Sequence, residues 1–439
     1  MTLVLVVVAV LAVLLLVRPV VGTWNTPAAL VVGSVCFLPV TLYATSERYH
    51  VGIAAPAFEV RTFTVVIVCC WVLAALSKVR VRPGAGLVVF VGYLWIAYLF
   101  VWPQTSESLA GAMHLTLGAL AFSLGVWSHR AGGATSAHVM SRICFLVVAV
   151  QVVVTALQFA GVPINAVSGS DAEFLGNRVN GTSNHPNNLG KMIYLLGWMS
   201  LVWTKSDHTG LRRCGYGVLF LGLLPLALAA GRANLAATLV MILLWVLLQP
   251  RSSPVPGGRA VVLGMISAMV GAVFILISRF DSDPTSGVRG VLIRLALDNL
   301  PTDIWFGVGP NTYVTAMSPR TGSFIPVHNV FLLELVEIGV AGLLLLLLPI
   351  VVLLVRSVAR LSEVGERGDY SRAFVSGVPG ILLISATGWG IIGTGMLPLL
   401  AFVVGVLHCG VAGRDEDAQD TPSIPRTTPS RSDSIVSRR

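Results

Sequence analysis

Residues 328–355 read His-Asn-Val-Phe-Leu-Leu-Glu-Leu-Val-Glu-Ile-Gly-Val-Ala-Gly-Leu-Leu-Leu-Leu-Leu-Leu-Pro-Ile-Val-Val-Leu-Leu-Val. From Ile338 to Val355 no side chain is polar. Roughly 20 such residues, coiled as a helix, span the hydrocarbon of a bilayer. Similar runs recur near 1–17, 27–44, 62–77, 85–102, 108–127, 143–162, 187–204, 215–230, 233–249 and 260–278, and 373–410 is long enough for two spans joined at Gly388 to Gly395. The expected fold is all-α: a polytopic transmembrane helical bundle of about 12 or 13 helices over residues 1–412, followed by a disordered cytoplasmic tail, 413–439, rich in Ser, Thr, Pro and Arg.

Composition agrees. Of 439 residues 55% are hydrophobic and 11% charged, against about a quarter charged in soluble domains, and the mean hydropathy is +0.84. The net charge of +9 would suggest nucleic acid in a soluble chain. Here the basic residues lie between apolar runs and read as topology signals, with no nucleic-acid partner. The six cysteines have no metal or disulfide spacing. There is no Walker loop, HExxH pair or dinucleotide fingerprint, and no cofactor or metal is expected. The Gly307-Val308-Gly309 stretch, with no lysine after it, reads as a turn.

Twenty of the 29 basic residues fall on one side if the runs alternate, in knots such as Lys78–Arg82, Lys205–Arg213 and Arg356–Arg372. That side is expected to be cytoplasmic. The opposite side then carries two long connections, 163–186 and 279–327. The second is too long for a passive connector and is expected to hold function.

The basic residues on that outer side stand out. Arg232 sits in Ala-Ala-Gly-Arg-Ala-Asn between two apolar runs, either snorkelling to the interface or binding an anion. Arg289 and Arg294 lie in a segment that reads as a short amphipathic helix. Arg294 is expected to pair with Asp298 at (i, i+4), leaving Arg289 the better ligand. His328 opens an apolar helix, with Glu334 and Glu337 deeper on one face, where carboxylates are either functional or paired. Residues 176–190, Gly-Asn-Arg-Val-Asn-Gly-Thr-Ser-Asn-His-Pro-Asn-Asn-Leu-Gly, form either a polar binding loop around Arg178 and His185 or ordinary turns. Arginines hold phosphate oxygens bidentately, and a histidine takes a proton near neutral pH. A diphosphate leaving group and an alcohol acceptor need that pair of tools.

In this order the segments resemble the O-antigen ligase and polymerase family. Arg178 to Gly190 is similar to its Arg-x-x-Gly stretch followed by His-Pro-Asn-x-x-Gly, and Gly231-Arg232-Ala233 to its small-Arg-small motif. Arg289 to Gly309 is similar to its Arg-x-x-Leu-Trp pattern leading to Gly-Val-Gly, with Ile293 where Trp is common. His328-Asn329 through Leu332, Glu337, Gly339 and Gly342 resembles its His-Asn motif. The resemblance implies a metal-independent glycosyltransferase of the bacterial cytoplasmic membrane, its site facing outward. It would move a glycan from a polyprenyl diphosphate (undecaprenyl in bacteria) to a hydroxyl of a glycan or glycolipid acceptor. His328, Arg232 and Arg289 would be catalytic, with inversion at the anomeric carbon, and Arg178, His185, Asn329, Arg294 and Glu337 would bind substrate. A polymerase of lipid-linked repeat units and a lipid-linked glycan flippase are the alternatives.

Overall fold

The computed structural model describes residues 26–37, 41–44, 59–76, 84–164, 178–183, 185–250, 286–323, 325–388, 390–393 and 395–413. The helices expected at 1–17 and 260–278, the Lys78–Arg82 knot and the tail from 414 lie outside them.

The described chain is helical, as expected, with one small antiparallel ribbon. The helices are α1 (Thr26–Phe37), α2 (Thr62–Ala75), α3 (Ala85–Phe100), α4 (Ser106–Gly133), α5 (Thr135–Phe159), α6 (Pro186–Ser200), α7 (Thr209–Leu228) and α8 (Arg232–Leu247). They continue as α9 (Ser286–Asp298), α10 (Tyr313–Thr321), α11 (Val330–Ala359), α12 (Glu366–Thr387) and α13 (Met396–Ala412). Four of them, α4, α5, α7 and α11, are long and apolar enough to cross a membrane, and α1, α2, α3, α8 and α13 are shorter apolar helices. The run expected to be helical over 27–44 ends at Phe37, and Thr41–Ala44 pairs as β1 with β2 (Glu59–Arg61). Pro39 explains the early stop, since the residue before a proline is pushed out of the helical region.

Small residues set the closest helix crossing. A Cβ at Gly125 of α4 would strike the Phe402 carbonyl of α13, and one at Gly405 would strike the Phe122 carbonyl of α4. Without a hydrophobic force between helices in lipid, such close backbone approach drives association. On α6, the Tyr194 hydroxyl and the Trp198 indole N–H donate to the carbonyls of Gly377 and Ala373 on α12.

The two classes of connection separate to opposite ends of these helices. At one end Arg372, 1% exposed, donates to the carbonyls of Leu361 and Glu363 at 2.8 Å and pairs with Asp369 at 2.7 Å. Arg360 reaches the Val411 carbonyl, so the expected basic knot there also holds the α11–α12 connection closed. At the other end meet the C-terminus of α1, the loop before α6, the α7–α8 turn, residues 299–312, the start of α11 and the α12–α13 connector. Thr182 donates to the Cys36 carbonyl, Trp102 to the Phe306 carbonyl, and His114 bonds the Ile392 carbonyl.

Candidate functional site

The loop 178–183 is built from side-chain bonds. On α5, Gln158 accepts from the amides of Asn180 and Gly181 at 3.1 and 2.9 Å, and Gln151 accepts from Thr182 N at 2.9 Å. Asn180 and Ser183 close the loop on each other. This fixed loop delivers Arg178 and His185. His185 is the N-cap of α6, its Nδ1 accepting from Asn187 N at 3.0 Å, with Pro186 at the first helical position, where its missing N–H costs nothing.

Arg178 spans two helix ends. Its Nε donates to the Ala229 carbonyl at the C-terminus of α7, and its guanidinium donates to Asn187 Oδ1 at 2.7 Å. A cation there complements the negative end of the helix dipole. Asn187 in turn accepts at its carbonyl from buried Asn234 of α8, at 3.2 Å. Between α7 and α8 the chain turns sharply: Ala230 has φ +52, uncommon without a glycine. The turn sets Arg232, half-buried, as the first residue of α8. Arg178, His185, Asn187, Asn234 and Arg232 therefore form one group. Asn187 stands in the His-Pro-Asn stretch without a role assigned to it, and Asn234, after Gly-Arg-Ala, carries no signal of its own in the sequence.

The second group lies around α9 and the start of α11. Leu292 and Ala296, one turn apart on α9, are buried, and Ala296 packs with Tyr313 and Met317 of α10 and with Leu332, Leu333 and Val336 of α11. That docking leaves Arg289 and Arg294 exposed. The expected Arg294–Asp298 pair is absent: both residues are exposed and no ion pair joins them. In water an exposed (i, i+4) pair is worth only about 0.3–0.5 kcal/mol, too little to hold two long side chains together. Asn329 is the N-cap of α11, its Oδ1 accepting from Leu332 N at 3.0 Å.

Glu337 and the Gly-Val-Gly turn form one device. α11 breaks at Gly339, whose φ of +70 suits glycine alone. The break strands backbone groups, and residues 304–309 satisfy them. Val308 N and Gly309 N donate to the carbonyls of Val336 and Glu337 at 2.9 and 2.8 Å, while Val340 N donates to the Ile304 carbonyl at 2.9 Å. Tyr93 donates to the freed Ile338 carbonyl at 2.7 Å. The Glu337 carboxylate accepts from Asn311 N at 2.6 Å and Tyr313 N at 3.0 Å, at the head of α10. Both its oxygens thus hold the loop, and the stretch expected to be a plain turn locks residues 304–313 onto α11. Glu334 is 2% exposed and its Oε2 has no partner among the described residues.

Residues 217–347 match the family model described as O-antigen ligase. They form an O-antigen ligase domain. The domain runs from α7 into α11 and carries Arg232, Arg289, Arg294, His328, Asn329 and Glu337; Arg178 and His185 precede it. No curated protein sequence matches the chain. Together with apolar helices of spanning length, this match supports a membrane glycosyltransferase of the O-antigen ligase or polymerase type.

Within the O-antigen ligase domain, the Arg289 charge acts on His328. Burial pushes the His328 imidazole below the usual histidine range, and the Arg289 charge pushes it the same way, while the Pro326 carbonyl opposes both. His328 Nδ1 is buried and makes no hydrogen bond among the described residues. The ring is thus held neutral near physiological pH, the form that accepts a proton. One residue that sequence reasoning passed over is Lys191, 6% exposed on α6; the signal was a lysine inside an apolar run.

Proposed function

We propose that the chain transfers a glycan from a polyprenyl diphosphate to a sugar hydroxyl on the outer face of a bacterial cytoplasmic membrane. The observation that carries this reading is that the matched O-antigen ligase domain holds His328, a half-buried imidazole lowered by burial, within reach of the Arg289 charge. His328 takes the proton of the acceptor hydroxyl as its oxygen attacks the anomeric carbon. The carbon–oxygen bond to phosphate breaks and the polyprenyl diphosphate leaves with the bonding electrons, inverting the anomeric centre. Arg232 and Arg289 hold the diphosphate and take up its growing charge, which removes the need for a metal ion. Arg178 and His185 set the α6–α7–α8 junction from which Arg232 projects, and Glu337 and Asn329 hold the outer segment and the start of α11.

The reading favours a ligase, with glycan or glycolipid as acceptor. Profiling the surface glycans of a deletion strain tests it. Finished chains should accumulate on the lipid carrier, unattached. Single repeat units on the carrier would instead make it a polymerase. Unchanged glycans would contradict both.

A further inference from the structure

Lys191 sits in the second turn of α6, six residues after His185. A lysine at a membrane boundary usually snorkels so that its ammonium reaches water. This one does not: its side chain is 6% exposed, and its Nζ turns back toward the head of the helix to donate to Asn188 Oδ1 at 3.2 Å. Among the described residues no carboxylate forms an ion pair with it. A buried ammonium without a counter-charge is costly and has no packing purpose that methionine would not serve better.

The surrounding backbone makes room for it. A Cβ on Gly390, in the connector between α12 and α13, would collide with the Lys191 ammonium and lie 3.5 Å from Asn188 Oδ1. Asn187, next in the chain to Asn188, ties Arg178 and Asn234 together, and Asn234 is two residues from Arg232. A buried, uncompensated cation therefore adjoins the group that carries Arg232, and a glycine keeps its ammonium clear.

We propose that Lys191 is a third cationic ligand of the lipid diphosphate, its ammonium exchanging Asn188 for a phosphate oxygen, with Gly390 keeping that space open. The proposal rests on the donor reading given above. Arginine grips bidentately, whereas lysine acts as a compact point charge suited to one oxygen in a tight space.

The test is donor binding and steady-state transfer by purified full-length protein, using a short-chain polyprenyl-diphosphate sugar as probe and inorganic pyrophosphate as competitor. Lys191→Met is expected to raise the donor Kd and KM roughly 10- to 100-fold and to weaken pyrophosphate competition alike, with the acceptor KM unchanged. Removing a buried charge should leave Tm equal or higher. Gly390→Ala, which keeps the charge but crowds it, should weaken donor binding in the same direction. Wild-type donor affinity in Lys191→Met would overturn the assignment, and so would a lowered Tm with donor affinity intact. Absence of saturable donor binding in the wild type would instead overturn the donor reading itself, and the assignment with it.

Discussion

His328→Ala is expected to lower transfer roughly 100- to 10,000-fold, the usual contribution of a general base, while donor binding stays intact. The reason is position. His328 precedes α11, carries a buried Nδ1 without a partner among the described residues, and lies near enough to Arg289 to feel its charge. A base works in its deprotonated form, so transfer should fall only as pH drops through the histidine pKa. Burial and Arg289 both lower that pKa, so the acid limb should lie below about 6.5, the unperturbed value. Arg289→Ala removes one lowering influence and should move the limb toward higher pH. A pH–rate profile of purified wild type and both variants checks this. Full activity in His328→Ala would remove the base from the mechanism, and a limb that ignores Arg289 would separate the two residues.

Arg232→Lys is expected to cost roughly 100- to 1,000-fold in transfer at normal membrane levels, comparable to losing one preorganised donor to a developing negative charge. The substitution keeps the charge and removes the planar fork. Arg232 opens α8 after a turn that places Ala230 at positive φ, with Asn187 and Asn234 binding the neighbouring helices together. Such a built approach fixes direction, which a lysine would not reproduce. Arg289→Ala should be as severe. Arg294→Ala should be mild, and the reason differs from the ion pair expected from spacing. Five residues apart on α9, the two arginines point about 140° apart around the helix, and it is Arg289 whose charge reaches His328. Membrane-normalised turnover of the three variants decides it. An essential Arg294 with a dispensable Arg289 would mean the wrong arginine was assigned to the diphosphate.

What the sequence revealed follows the range of the interactions. Local hydropathy located the described helices, closely at 62–77 (Thr62–Ala75) and 233–249 (Arg232–Leu247), more loosely at 143–162, where the helix already begins at Thr135. Its error at 27–44 came from reading apolar character through Pro39 into a strand. Arg232, Arg289 and His328 stood out in the sequence because arginine and histidine are costly beside lipid; the roles given to them are the proposal's. The partners of Glu337 were not, because the amides of Asn311 and Tyr313 come to it only when the 304–313 segment folds against the break at Gly339. Depth alone suggested a functional or paired carboxylate without naming the pair. Lys191 went unremarked for the converse reason. It was one cation in a count used for topology, and only the packing of α6 against the Gly390 connector shows that its ammonium is buried. The Arg294–Asp298 pairing rested on spacing, which places two side chains on one face without making them bond.

The central claim is that this chain breaks the sugar–phosphate bond of a lipid-linked glycan and passes the glycan to a hydroxyl. Purified protein in vesicles, given a polyprenyl-diphosphate glycan and a sugar acceptor, tests it directly. Each new glycosidic bond should appear with one released polyprenyl diphosphate, with inverted anomeric configuration, and EDTA should leave the rate unchanged. Movement of intact donor across the bilayer without cleavage would make the protein a transporter, and abolition by EDTA with rescue by a divalent cation would show that a metal does the work assigned to Arg232 and Arg289.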